Sequence, residues 1–303
     1  MPTENTAEKL DPRPTFMNRN LWQDSLKQDE FDKVAALVHG RSGIKLPDQK
    51  KSMLEARLRK RIRALDLESF TDYVDFLFKK NGLDHELVHL LDVVSTNKTD
   101  FFRESAHFDF LKAQSLPSLM AQHGVGITRP LKAWSAGCST GEEPYTLAMT
   151  LLEYSQQVTD YKFKILGTDL STIVLQKAIQ AVYPENKIAT IPVDLKKKYL
   201  LRSKDRNSGL VRMAANVRQN VTFKRLNFMD EEFGLDDTFH LIFCRNVIIY
   251  FDQNTQRILL KRLLEHLKPN GYLFMGHSET LHGLGLNLKQ LAPSVYQKRD
   301  DLS

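Results

Sequence analysis

The chain has 303 residues, of which 42% are hydrophobic and 26% are charged, the composition of an ordinary globular protein long enough for two domains. No stretch approaches the roughly 18 apolar residues of a membrane span, and the first 19 residues combine mixed charges with three prolines, unlike a secretory signal. Two cysteines, Cys138 and Cys244, exclude a disulfide framework and favour a reducing compartment. We therefore expect a cytoplasmic protein without membrane insertion.

The N-terminal part is predicted to be a flexible leader, residues 1–25, followed by a helical domain over residues 26–96. Within that domain Leu54, Leu58 and Ile62 recur at helical spacing and predict an amphipathic helix. The stretch 50–63 holds seven basic residues and one acid, so its net charge of +6 equals that of the whole chain. The basic excess is therefore concentrated on one helix.

A run of charge is often no more than a solvated helix surface. The alternative is a docking face for an acidic partner, since oppositely charged patches raise association rates by about 10- to 1000-fold. The candidate docking residues are Arg57, Arg59, Lys60 and Arg63.

Residues 97–130 are predicted to form a segment that contributes to the site, a helix interrupted by Pro117 and a linker. An α/β domain over residues 131–303 follows. It begins with a predicted buried strand, Leu131 to Ala136, and a turn containing Gly137 and Gly141. A strand, glycine turn and helix in this order typically open a doubly wound domain that binds a nucleotide.

Two carboxylates, Glu142 and Glu143, follow that turn directly, and the G-x-G-x-x-G pattern of dinucleotide sites is absent. Carboxylates suit an amine or ribose hydroxyls better than a pyrophosphate. The turn therefore favours a nucleoside ligand without phosphates, such as S-adenosylmethionine, with a purely structural turn as the alternative. A second predicted strand ends at Asp169, where folds of this class place a ribose-binding acid.

The alternation of strands and helices breaks over residues 183–222. Turn signals and two short apolar runs, Leu210–Met213 and Asn220–Phe223, predict a small inserted β-rich subdomain there. The pattern resumes with a buried strand that starts at Phe239 and runs into a loop at Arg245. None of the nine histidines shows a metal-ligand spacing, so no metal site is expected.

In this order the motifs resemble those of the CheR family, the chemotaxis receptor glutamate O-methyltransferases, over nearly the whole chain after the leader. The motifs are Asn97-x-Thr-x-Phe-Phe-Arg103, Ser139-Thr-Gly-Glu-Glu-Pro-Tyr145, Gly167-Thr-Asp169, Phe243-Cys-Arg-Asn246 with Ile249-Tyr-Phe251, Leu267-Lys-Pro-x-Gly271 and Gly276-His-Ser-Glu279. The resemblance implies a class I S-adenosylmethionine-dependent methyltransferase fold, a Rossmann-like doubly wound sheet, with an N-terminal all-α domain and a small inserted β-subdomain.

The resemblance also implies roles for particular residues. Arg103 and Tyr250 would lie nearest the reacting centre, and Asp169 would bind the ribose hydroxyls. The implied cofactor-binding residues are Asn97, Thr99, Arg103, Glu143, Asp169, Asn227, Phe228, Arg245 and Asn246.

The implied activity is transfer of the methyl group of S-adenosylmethionine to glutamate side chains on the cytoplasmic helices of chemoreceptors. The products are glutamate methyl esters and S-adenosylhomocysteine. The partner is a receptor, with a receptor C-terminal peptide as a possible ligand of the β-subdomain. We expect a monomer that does not bind nucleic acid. A nucleic-acid methyltransferase and a non-catalytic S-adenosylmethionine-binding signalling module remain the alternatives.

Overall fold

The computed structural model describes residues 24–300. The leader predicted for residues 1–25 therefore lies almost entirely outside the described residues. Four helices come first: α1, Gln28–Ser42; α2, Lys51–Ala64; α3, Phe70–Lys79; and α4, Leu83–Val94. Their apolar faces enclose a core of their own that includes Phe31, Leu54, Leu58, Phe70 and Tyr73. Burial of one face of each helix, as the 3.6-residue periodicity predicts, accounts for this domain.

Two helices precede the sheet: α5, Ala106–Phe110, and α6, Leu116–His123, joined by a π-helical turn at Leu111–Ser115. The sequence predicted that Pro117 interrupts this helix, and the π-helical turn that separates α5 from α6 ends two residues before the proline. A proline removes one N–H donor from a helix, and a wider turn just before it is one way in which the backbone adjusts. The helix ends at Gly124, whose φ of 60° is left-handed.

The α/β domain has a seven-stranded sheet in the order β6-β2-β1-β7-β8-β10-β9. Its strands are β1, Leu131–Ala136; β2, Phe163–Asp169; β6, Val221–Arg225; β7, Phe239–Cys244; β8, Leu267–Met275; β9, Leu288–Ala292; and β10, Val295–Lys298. The first five strands in spatial order are parallel, and β10 pairs antiparallel with both β8 and β9. The predicted doubly wound sheet is confirmed.

The crossover helices are α7, Glu142–Ser155; α8, Thr172–Gln180; and α11, Gln253–Glu265. One core lies on the sheet face that carries α7, and a second core on the other face packs α11 against Trp134 and Ile242. Since β1 lies between β2 and β7, the strand order reverses at β1. In open parallel sheets, ligands bind beside such a reversal, at the carboxyl ends of the strands.

The inserted subdomain contains a three-stranded antiparallel sheet in the order β3-β5-β4, formed by β3, Val182–Pro184; β4, Leu200–Arg202; and β5, Leu210–Met213. Helix α9, Val193–Tyr199, lies within it, and the short α10, Ala215–Arg218, follows. The sequence assigned the run from Asn220 to Phe223 to this insertion. That assignment was wrong, because β6 pairs with β2 at the edge of the main sheet.

Within residues 24–300, no helix is long and apolar enough to cross a membrane.

Candidate functional site

An open cleft of about 1190 Å³ lies at the carboxyl ends of β1, β2 and β7. Its floor includes Gly137, Ser139, Asp169 and Arg245, the residues that follow or end these strands. The opposite wall comes from the helical domain and includes Ile44, Leu46 and Met53. The cleft opens to solvent between two domains, which is a usual position for a small-ligand site.

All ten residues implied by the resemblance for cofactor binding and catalysis line this one cleft: Asn97, Thr99, Arg103, Glu143, Asp169, Asn227, Phe228, Arg245, Asn246 and Tyr250. They come from segments as far apart as residues 97 and 250. Three of the segments are strand ends, and parallel topology brings the carboxyl ends of neighbouring strands to the same edge.

The turn after β1 needs glycine at two positions. Gly137 and Gly141 have φ values of 83° and 94°, and a Cβ on Gly137 would lie 2.5 Å from Val247 Cγ2. The backbone N–H groups of Gly137 and Cys138 both donate to the Thr168 carbonyl, so the turn is bound to the end of β2. Because no side chain stands at Gly137, the backbone of this turn lines the cleft.

Asp169 connects the loops that follow β1 and β2. Its Oδ2 accepts from the Ser139 N–H at 2.8 Å and its Oδ1 from the Ser171 N–H at 2.9 Å. Burial raises the pKa of this carboxyl, while the backbone donors stabilise its charged form. Each carboxylate oxygen has two lone pairs, so acceptor capacity remains for ligand hydroxyls.

The two carboxylates after the glycine turn have different positions. Glu143 lines the cleft, where its Oε1 accepts from the Ser135 hydroxyl at 2.7 Å and its Oε2 from Arg245 at 3.3 Å. Glu142 instead accepts from the Thr140 hydroxyl at 2.6 Å and is not among the lining residues. Burial raises the pKa of Glu143, and Arg245 opposes that rise.

Arg245 is the buried cation of the cleft. Its Nη1 donates to Glu143, and its Nη2 donates to Glu104 at 3.0 Å and to the backbone carbonyl of Arg103. Its guanidinium also lies over the Phe108 ring, 5.7 Å from the centroid. The Nε of Arg245 is buried and has no hydrogen-bond partner among the described residues, and Arg245 lines the cleft, so a ligand acceptor would fit there.

Strained backbone surrounds Arg103. Phe102 and Glu104, on either side of it, have left-handed φ values of 53° and 54°. Such residues cost on the order of 1–3 kcal/mol each and persist where surrounding contacts hold them. Here the contacts are the Phe102 N–H to the Thr146 hydroxyl at 3.2 Å and the bonds of Arg245 to Arg103 and Glu104. Arg103 is therefore held by its backbone while its side chain faces the cleft.

Two further acidic residues lie at the site, and the sequence did not predict a role for either of them. Glu104 forms the ion pair with Arg245; burial alone would raise its pKa, but Arg245 and a bond from the His277 N–H lower it. Glu279 accepts four backbone N–H groups, those of Asn246, Val247, Ile248 and Gly276, at 2.7 to 2.9 Å. Glu104 directly follows the motif that ends at Arg103, and Glu279 is the last residue of the motif that begins at Gly276, so their positions beside and within these motifs were the signal available.

Two of the four candidate docking residues on α2 are engaged in contacts within the helical domain. Arg57 Nη1 donates to the carbonyls of Val93, Val94 and Ser95 at 2.9 to 3.0 Å, at the carboxyl end of α4. Arg59 donates to the Asp24 carbonyl at 2.9 Å and lies over the Phe70 ring. These two guanidiniums stabilise the domain, so they are not simple surface charges. Lys60 and Arg63 are exposed as predicted.

The sheet with its reversal beside β1, the glycine turn and the acid that ends β2 define a class I S-adenosylmethionine-dependent methyltransferase. Residues 97–296 match the family described as CheR methyltransferase, SAM binding domain, and residues 29–95 match the CheR all-alpha domain. The chain belongs to the CheR methyltransferase family, as the motifs predicted.

Curated relatives agree over nearly the full length. The chain is similar to the chemotaxis protein methyltransferase of Borreliella burgdorferi, with 42% identity over 90% of this chain and 95% of the relative. It is similar to chemotaxis protein methyltransferase 2 of Pseudomonas aeruginosa, with 36% identity over 94% and 97% of the two chains. The corresponding Escherichia coli protein is 34% identical over 91% and 93%.

The cysteines give a first prediction. Cys138 and Cys244 are both buried, and burial raises the pKa of each thiol well above its usual range. We expect neither to react with an aromatic disulfide reagent in the folded protein and both to react in denaturant, as read from released thiolate absorbance. A fast-reacting thiol in the folded protein would contradict this, because reactive cysteines are accessible and have a lowered pKa.

Proposed function

We propose that this protein methylates glutamate side chains on the cytoplasmic helices of chemoreceptors, with S-adenosylmethionine as donor. The observation that supports this most is the convergence on one cleft between two domains of all ten residues that the resemblance implies. The names of the relatives support a role in chemotaxis. We propose a cytoplasmic location for the same reason, since the substrate helices would lie there.

The residues of the cleft fit the cofactor. Asp169 would accept the ribose hydroxyls, while Glu143 would balance the positive charge of the amino acid part. Ile44, Leu46 and Met53 supply an apolar wall. When bound, S-adenosylmethionine supplies an electrophilic methyl group on a sulfonium.

The main task of the protein in this reaction is to position the two reactants. A glutamate has an ordinary pKa near 4.3, so at neutral pH it is already an anionic nucleophile and needs no general base. Arg103 and Tyr250 line the cleft and would orient that carboxylate by partial contacts. Alignment of two reactants can supply roughly 7–11 kcal/mol, and exclusion of water favours a step in which opposite charges neutralise each other.

Residues 97–103 are held from several sides, as this positioning requires. Ser139 donates to the Asn97 carbonyl at 3.0 Å. From the subdomain, Lys187 donates to the Thr99 carbonyl at 3.1 Å and Thr190 to the Phe101 carbonyl at 2.7 Å. The inserted subdomain therefore supports the cleft, whether or not it also binds a receptor tail.

The experiment that tests the proposal incubates the full chain with methyl-labelled S-adenosylmethionine and a purified receptor cytoplasmic fragment. We expect label on the fragment that is released as volatile methanol by mild base, the behaviour of a carboxyl methyl ester. Fragments whose glutamates are changed to alanine should take up none. Base-stable label, or label on nucleic acid, would contradict the proposal.

Docking is tested by a pair of charge reversals. We expect Lys60→Glu with Arg63→Glu to lower kcat/KM for receptor methylation about 10-fold, because both side chains are exposed on α2 and charge steering acts through such faces. Cofactor affinity should stay unchanged. The matched control, Arg257→Glu with Lys261→Glu on α11, makes the same charge change elsewhere. Equal losses in both variants would remove α2 as the docking face.

A further inference from the structure

Three potential metal ligands from two distant segments meet beside Arg245. Glu104 and His107 lie three residues apart before the sheet, and His277 follows β8. His107 Nδ1 lies 3.6 Å from Glu104 Oε2, and His277 Nε2 lies 3.9 Å from the same oxygen. One ligand atom from each side chain lies within 4.8 Å of the other two.

His107 is the unusual member of this cluster. Its side chain is only 2% exposed, and neither ring nitrogen makes a well-formed hydrogen bond among the described residues, the Pro293 backbone offering only a weak one. Phe274 and His277 pack edge-on against it, with ring centroids 5.8 and 5.1 Å away. An unpaired buried polar group costs roughly 1–3 kcal/mol, so such a group needs an explanation.

The ring nitrogens of the two histidines are donor atoms that first-row transition metal ions accept. His277 is 54% exposed, so an ion can reach the cluster from solvent.

We propose that Glu104, His107 and His277 form a binding site for a divalent transition metal ion such as Zn²⁺. Two imidazoles and one carboxylate, with room for water, are a common ligand set for Zn²⁺ and its neighbours in the first transition row. Ligands bound about 2.0–2.1 Å from a tetrahedral ion are about 3.4 Å apart. The distances of 3.6 and 3.9 Å to Glu104 therefore need to close by a few tenths of an ångström, and the two imidazoles, whose ligand atoms lie within 4.8 Å of each other, need to approach as the exposed His277 side chain turns inward.

Arg245 sets the character of this site. Its Nη2 lies 3.0 Å from Glu104 Oε2, so a metal ion would share that oxygen with a guanidinium and the two cations would repel each other. Affinity would be moderate for this reason. The same Nη2 also bonds the Arg103 carbonyl, so an ion that displaces Arg245 would disturb Arg103. The site is therefore inhibitory, a consequence that rests on the proposed function, whereas metal binding itself does not.

Binding is tested on the full chain with Co²⁺ as a spectroscopic probe and Zn²⁺ as competitor. We expect Co²⁺ to produce visible absorption bands that saturate at one ion per chain and disappear on addition of Zn²⁺. His277→Ala and Glu104→Gln should each weaken Co²⁺ affinity 10-fold or more. His282→Ala, an exposed histidine nearby, is the matched control and should bind as the wild type does.

His107→Ala is the third ligand variant, and its folding is checked by circular dichroism because the side chain is buried. The exposed His277 keeps the test valid if that variant fails to fold. Absence of Co²⁺ absorption in the wild type, or equal affinity in His277→Ala, Glu104→Gln and the control, would overturn the proposal. If receptor methylation is found, micromolar Zn²⁺ should inhibit it in the wild type and much less in His277→Ala. If no methylation is found, the Co²⁺ titration still gives its answer.

Discussion

Asp169→Asn should weaken binding of S-adenosylmethionine about 10- to 100-fold. The buried carboxylate accepts from Ser139 and Ser171, and we propose that it also accepts from the ribose. Asparagine keeps the shape of the side chain and one acceptor oxygen. The loss of cofactor affinity therefore reflects the negative charge and the second oxygen of the carboxylate. Hydrogen bonds to charged groups contribute about 1.5–3 kcal/mol, which corresponds to this range. Calorimetric titration with the cofactor measures the effect.

The control for this change is Asp160→Asn, on an exposed turn whose φ of 60° asparagine tolerates well. It should bind the cofactor normally. An unchanged dissociation constant in Asp169→Asn, with folding intact, would remove Asp169 from the cofactor site.

Glu279→Gln should destabilise the loop that carries Arg245 and Asn246. The glutamate accepts four backbone N–H groups with its two oxygens. A glutamine would turn an N–H₂ group toward two of those donors. The loss of two bonds to a charged acceptor amounts to about 3–6 kcal/mol, so we expect a drop in Tm of about 6–20 °C. Cofactor affinity should fall with it, since Arg245 and Asn246 line the cleft.

Scanning calorimetry compares this variant with Glu265→Gln, which changes an exposed residue at the end of α11. The control variant should have the same Tm as the wild type. A Glu279→Gln protein with the Tm of the wild type would contradict this prediction.

Three of the segments that line the cleft follow strand ends, and this part of the cleft could be predicted from the sequence. Once the parallel strands were recognised, Gly137, Asp169 and Arg245 had to meet at one edge of the sheet, and they do. The helical domain was predictable from periodicity alone, since its core repeats every three to four residues. Short-range patterns thus carry most of the fold.

Long-range partners were not predictable. Periodicity placed Arg57 on the polar side of α2, but no pattern shows that the end of α4 lies against it. The run at Val221 has a strand's composition, and only pairing decides which of two sheets it joins. Glu104 and His277 are separated by more than 170 residues of chain, so the spacing of ligands in the sequence could not reveal that they lie together.

The contact of Arg57 with the last carbonyls of α4 has one more consequence. Arg57 belongs to α2, the helix proposed to bind the receptor, and it donates to the Ser95 carbonyl. Ser95 lies two residues before Asn97, which lines the cleft. A load applied to α2 by a docked helix therefore reaches the donor site through Arg57, and Met53 of the same helix lines the cleft directly. Thermodynamic linkage then makes the coupling mutual: whatever factor receptor occupancy imposes on donor affinity, donor occupancy imposes on receptor affinity.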